Sequence, residues 1–71
     1  MTTDEIVKTS IEEITPYAKK KGVHIDWHNN TLKFYGYSRD SSKEIQLMLM
    51  DSINKKLTES GSTERITVDG N

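Results

Sequence analysis

Val7, Ile11, Ile14 and Ala18 recur at spacings of three and four residues, and Ile6 and Tyr17 widen the stripe. That period lays one apolar face along a helix. Thr2 and Glu5 stand three apart ahead of it, the spacing of a capping box, in which each side chain takes up a backbone N–H that the first turn leaves without a partner. Glu12 and Glu13 fall off the stripe. Lys19, Lys20 and Lys21 occupy the last turn, where cations oppose the negative end of the helix dipole, and Gly22 marks the stop. Pro16 conflicts with the pattern, because inside a helix it removes a hydrogen bond and crowds the carbonyl of Glu12. Either the helix kinks there, or it ends near Ile14 and Thr15 caps a second short helix with Pro16 at its first position. The stripe continues to Ala18, which favours the kinked helix.

At Val23 the period changes to two. Val23, Ile25 and Trp27 alternate with His24, Asp26 and His28; beyond Asn29-Asn30, Leu32, Phe34 and Gly36 alternate with Thr31, Lys33, Tyr35 and Tyr37. Asparagine tolerates positive φ, so Asn29-Asn30 suits a two-residue hairpin turn of the primed type. The register then pairs His28 with Thr31, Trp27 with Leu32, Asp26 with Lys33, Ile25 with Phe34 and His24 with Tyr35. Every apolar residue falls on one face, and Asp26 opposite Lys33 predicts a cross-strand ion pair. A slip of one residue would scramble both faces, so turn and alternation specify the same register.

A second helical period follows. Ile45, Leu49, Ile53 and Leu57 are spaced by four, with Met48 beside them. Ser41 and Glu44 predict a capping box after the turn-forming Ser38-Arg39-Asp40, and the helix should fade near Glu59, before Ser60-Gly61-Ser62. Glu64 to Asp69 reads as a short strand with Ile66 and Val68 inward and Arg65 and Thr67 outward. Asp69-Gly70-Asn71 reads as a frayed end. The order is α-β-β-α-β, an α+β fold in which two helices cover one face of a three-stranded sheet, because only one sheet face is apolar. The second helix is the crossover to the third strand, expected to be right-handed. The pattern leaves open whether that strand lies beside the first or the second.

Composition bounds this picture. The chain has 71 residues, enough for one small domain. Ile, Leu, Val and Phe number 15, close to the lower limit for a folded chain, but 10 basic and 11 acidic residues nearly cancel, so little self-repulsion opposes collapse. No apolar run approaches the roughly 20 residues of a membrane span, and the polar, acidic start Met1-Thr2-Thr3-Asp4-Glu5 is unlike a secretory signal; the expectation is a cytoplasmic protein. The absence of cysteine excludes a disulfide framework and a thiolate metal site.

Candidate chemistry is sparse. His24, Asp26 and His28 form an H-x-D-x-H run whose side chains share the polar sheet face, about 6.5 Å apart along the strand. Two imidazoles and a carboxylate are zinc or iron ligand types, which gives a metal-dependent reading; a solvated face with Asp26 committed to Lys33 explains the same residues. No nucleophile elbow is present, and Gly22, Gly36, Gly61 and Gly70 are too dispersed to form a phosphate-binding loop. So small a core leaves little room for a water-excluding pocket, so the chain reads as non-catalytic, without cofactor or small-molecule substrate. Tyr35 and Tyr37 share the polar face with Lys33, and aromatic rings interleaved with bases on an open sheet are how several modules stack single-stranded nucleic acid. Lys19, Lys20 and Lys21 would then meet phosphates, although the slightly acidic chain lacks a net basic footprint. On the second helix, Leu47 lies nearly opposite the centre of the Ile45-Leu49-Ile53 stripe and Met50 lies off it. With Leu57 they would form an apolar flank for another chain, and a free strand edge offers a second route by strand addition.

The stretch Asn30-Thr31-Leu32-Lys33-Phe34-Tyr35-Gly36-Tyr37, followed by Ser41-Ser42-Lys43-Glu44 and the apolar helix, resembles the core of the BON domain. That family has an α-β-β-α-β order and a strand ending in an apolar-x-apolar-x-Gly pattern, here Leu32, Phe34 and Gly36, before a capped helix. The resemblance covers about two-thirds of the chain by element order. It implies the fold, and a setting among envelope proteins in contact with membrane or phospholipid; this chain departs from that setting in its polar N-terminus and acidic balance. The resulting expectation is a small binding module acting through protein contacts, a homodimer being one form. Leu47, Met50, Leu57, Tyr35 and Tyr37 are its contact residues. The alternatives are nucleic-acid binding through the open sheet face and a metal site on the first strand.

Overall fold

Thr2 caps the first helix as its spacing requires. Its hydroxyl accepts from the Glu5 N–H at 3.2 Å while the Glu5 carboxylate accepts from the Thr2 N–H at 3.1 Å. In the computed structural model, which describes residues 2–69, helix α1 (Thr3–Lys20) runs on through Pro16 rather than ending at Ile14. Pro16 sits on the exposed side. One turn earlier, the Thr15 hydroxyl donates to the carbonyl of Ile11 at 2.6 Å. Gly22, at φ 71°, takes the left-handed position past the helix end.

Strands β1 (Val23–His28) and β2 (Thr31–Gly36) form the predicted hairpin in the predicted register, from His28↔Thr31 to His24↔Tyr35. Asn29 and Asn30 both adopt positive φ, 50° and 58°, the conformation a primed turn demands. The predicted ion pair across the strands does not form. Lys33 turns instead to Asp69, at 3.7 Å, because the third strand brings a second carboxylate alongside it.

Helix α2 (Arg39–Glu59) begins three residues earlier than the Ser41-Glu44 box predicts. The cap is Ser38, whose hydroxyl accepts from the Ser41 N–H at 3.3 Å. Glu44 is drawn away to α1, where it accepts from the Tyr17 hydroxyl at 2.8 Å and pairs with Lys21 at 3.7 Å. The helix ends at Glu59 as expected, in a Schellman motif: Gly61 at φ 74°, with the Ser62 N–H bonded to the Leu57 carbonyl at 3.0 Å.

Strand β3 (Thr67–Asp69) is shorter than predicted and lies beside β2, parallel to it, giving the order β1-β2-β3 in a mixed sheet. Asp69 belongs to this strand; Gly70 and Asn71, also assigned to the frayed end, lie outside the described residues. The two helices cover the apolar sheet face unevenly. Helix α1 packs on β1 and α2, and α2 packs on β2 and β1, so β3 lies at the rim. Ile66 and Val68 are accordingly only half-buried, while Leu32, Ile45, Leu49 and Ile53 are fully enclosed. Between the helices sits a polar bridge. Ser10, fully buried, accepts from Lys56 Nζ at 3.3 Å and Ser52 Oγ at 3.4 Å, and Lys56 also pairs with Glu13.

Candidate functional site

The buried stripe of α2 advances by four residues at each step, and Leu47 falls on the opposite side, 61% exposed. Met48 beside it is 41% exposed. Two of the sequence expectations change here. Met50 is half-buried against the core, and Leu57 is a core residue at 5% exposure, so neither continues an open apolar flank from Leu47. Met48 and Met50 flank Leu49 by about 100° on either side, and the helical period alone cannot choose between them. Residues 62–66 and the approach to β3 decide the matter: Met50 shares a groove with Leu57 and Ile66, while Met48 has no such cover. Met48 is thus a contact candidate that the periodicity assigned to the core.

The outer sheet face is open. His24 and Tyr35 stand opposite each other with ring centroids 6.1 Å apart, and the row beside them holds Asp26, Lys33 and Asp69. Tyr37 lies past the end of β2, fully exposed, with its ring beside Gly22. The cations assigned to phosphate contact are partly engaged. Lys33 pairs with Asp69, and Lys21 pairs with Glu44 and lies 5.5 Å over the Tyr17 ring. Lys19 and Lys20 are exposed at the end of α1. His24, Asp26 and His28 share the face as alternation requires. Among the described residues, however, no three histidine or carboxylate side chains are arranged to hold a metal ion, so the H-x-D-x-H run assembles no metal centre.

A groove of about 770 Å³ runs between the end of β2 and the first half of α2, lined by Tyr35, Gly36, Arg39, Lys43 and Gln46 among others. Gly36 allows this close approach, since a Cβ there would lie 2.5 Å from Ser42 Oγ. The groove is open to solvent.

Local electrostatics concentrate at the start of α1. The Trp27 indole N–H donates to Asp4 Oδ1 at 2.7 Å and Lys8 pairs with the same carboxylate at 2.9 Å. The indole bond first, and Lys8 second, hold the Asp4 carboxyl below its ordinary value, and the pairing raises Lys8. The Thr2 backbone N–H and then its hydroxyl lower Glu5. These shifts belong to helix capping and to fastening α1 on β1, and none lies beside the exposed apolar residues of α2.

No helix among the described residues is long and apolar enough to cross a membrane. Compared with protein families, with characterised proteins and with solved structures, the chain finds no match. Its functional reading rests on its own geometry.

Proposed function

We propose that this chain is a non-catalytic binding module that acts through protein contacts, with the outer side of α2 as its contact surface. The observation that carries the reading is Leu47, 61% exposed in a chain with few large apolar residues, next to the exposed Met48. Single exposed apolar residues are common on folded surfaces. Here the pair sits on a helix whose opposite side supplies four core residues, so the helix is held rigidly and presents them without rearrangement. The open sheet face is the weaker surface because Lys33, the cation beside Tyr35, is already paired with Asp69.

The test compares the wild-type chain with Leu47→Glu and Tyr35→Ala, immobilised in turn, for capture of proteins from the source organism and for self-association by sedimentation. The reading expects at least one specific association that Leu47→Glu abolishes and Tyr35→Ala leaves intact. An association abolished by Tyr35→Ala alone, or none sensitive to Leu47→Glu, would overturn it.

A further inference from the structure

The residues that flank Leu47 point to what covers it. Lys43 lies four residues before it and Asp51 four residues after, so both share its side of α2, about 40° to either side of it. Each is one turn, about 6 Å, from Leu47 along the helix axis. Both are exposed, and neither side chain makes a hydrogen bond or ion pair among the described residues. A basic residue, a leucine and an acidic residue at equal spacing form a sequence that is complementary to its own reverse.

We infer that this face of α2 receives a second copy of the chain, with the two α2 helices antiparallel and Leu47 at the two-fold axis. This rests on the reading of α2 as the contact surface and names its partner. In that arrangement residue i of one helix stands level with residue 94 − i of the other. Leu47 meets the partner copy's leucine, and Lys43 lies level with the partner copy's Asp51, twice by symmetry. The same register sets Asp40 against Asn54, so no like charges oppose each other in these three layers. A parallel two-fold would bring lysine against lysine and aspartate against aspartate at the same heights, so charge selects the antiparallel form. The sheets lie on the far side of each α2 and do not obstruct the approach, since the face centred on Leu47 is the one turned away from the core. One helix face with a single central leucine makes a small interface, of the size that supports reversible association.

Sedimentation equilibrium of the full chain across a concentration series, at low and high salt, tests this. The wild type should self-associate to a dimer and no further, with an affinity that falls as salt rises. Lys43→Glu and Asp51→Lys should each weaken the dimer about tenfold, because two attractive pairs become repulsive. The double variant Lys43→Glu/Asp51→Lys should restore it, and an equimolar mixture of the two single variants should form heterodimers. Both substitutions sit at exposed positions, and circular dichroism of each variant checks that the fold is kept. A dimer abolished by Leu47→Glu but unmoved by the charge reversals would overturn the antiparallel register while leaving the contact surface in place. A wild type that stays monomeric at millimolar concentration would overturn the second copy as partner. Capture of another protein sensitive to Leu47→Glu would then still support α2 as a contact surface.

Discussion

Replacing Lys56 by Met probes how the two helices are held in register. Lys56 Nζ donates to Ser52 Oγ at 3.0 Å and Ser10 Oγ at 3.3 Å and pairs with Glu13, while its stem packs between the helices. Methionine keeps most of that stem and removes the charge. The Glu13 pair is worth little, because the Glu13 side chain is 57% exposed and pairs in that setting contribute about 0.2–1 kcal/mol. Ser52 is half-buried and regains water. Ser10 is fully buried and cannot, and its remaining partner, Ser52, stands at a long 3.4 Å. Leaving such a hydroxyl poorly satisfied costs about 1 kcal/mol, so the whole change should cost about 1–2 kcal/mol. At this chain length that is a fall of several degrees in Tm. The informative part is the coupling. Once Ser10 is alanine, Lys56→Met strands no buried hydroxyl, and the second substitution should cost about 1 kcal/mol less than it does alone. Urea unfolding of the four species, followed through the single tryptophan, Trp27, measures this cycle. Additivity within about 0.3 kcal/mol would show that the bridge is not a coupled unit and refute the reasoning.

Four further outcomes follow from the geometry. Gly61→Ala should destabilise by about 1–2 kcal/mol from left-handed backbone strain alone, since nothing lies within 4 Å of a Cβ there. Gly22→Ala should cost at least as much, because its Cβ would also come 3.2 Å from the Tyr37 ring; a neutral Gly22→Ala in urea unfolding would contradict the described turn. Asn30→Gly should stabilise the hairpin by up to about 1 kcal/mol, because φ 58° is easier for glycine, and a loss in thermal midpoint would argue against the primed turn. Asp4 has a lowered folded-state pKa, so its contribution is full above the unfolded carboxylate value and is lost as pH falls through the folded one. Asp4→Asn should therefore lower the urea midpoint at pH 6 and make little difference near pH 2; an equal loss at both would remove the ionised carboxylate as the cause.

The hairpin was the most legible part of the chain, since a turn sequence and two alternating strands independently demanded one register. Helix ends were nearly as clear where the signal was chemical: the Thr2-Glu5 box, Gly22, and the stop before Gly61. The errors share a cause, which is competition among equivalent groups that only tertiary neighbours resolve. Both Ser38 and Ser41 are competent caps, and Glu44 could not serve in a box while bonded to Tyr17 and Lys21. Lys33 had two carboxylates within reach, and the second, Asp69, was invisible until β3 was placed beside β2. Met48 and Met50 are symmetric about Leu49 in the helical period, and the one that packs is the one facing Ile66. Leu47 was legible because no register of the stripe reaches a residue on the far side of the helix. The H-x-D-x-H run illustrates the converse. Alternation correctly put its three side chains on one face, but an open face supplies no converging ligands.

The central claim is that α2 meets a second copy of the chain through the side that bears Leu47. Methyl and aromatic NMR of the labelled chain, recorded as it is concentrated from micromolar to millimolar, reads both surfaces residue by residue. The prediction is a progressive shift of the Leu47 methyls, with a smaller one at Met48, while the buried methyls of Ile45, Leu49 and Ile53 and the rings of His24 and Tyr35 stay fixed. Shifts centred on the open sheet face with Leu47 unmoved would contradict it.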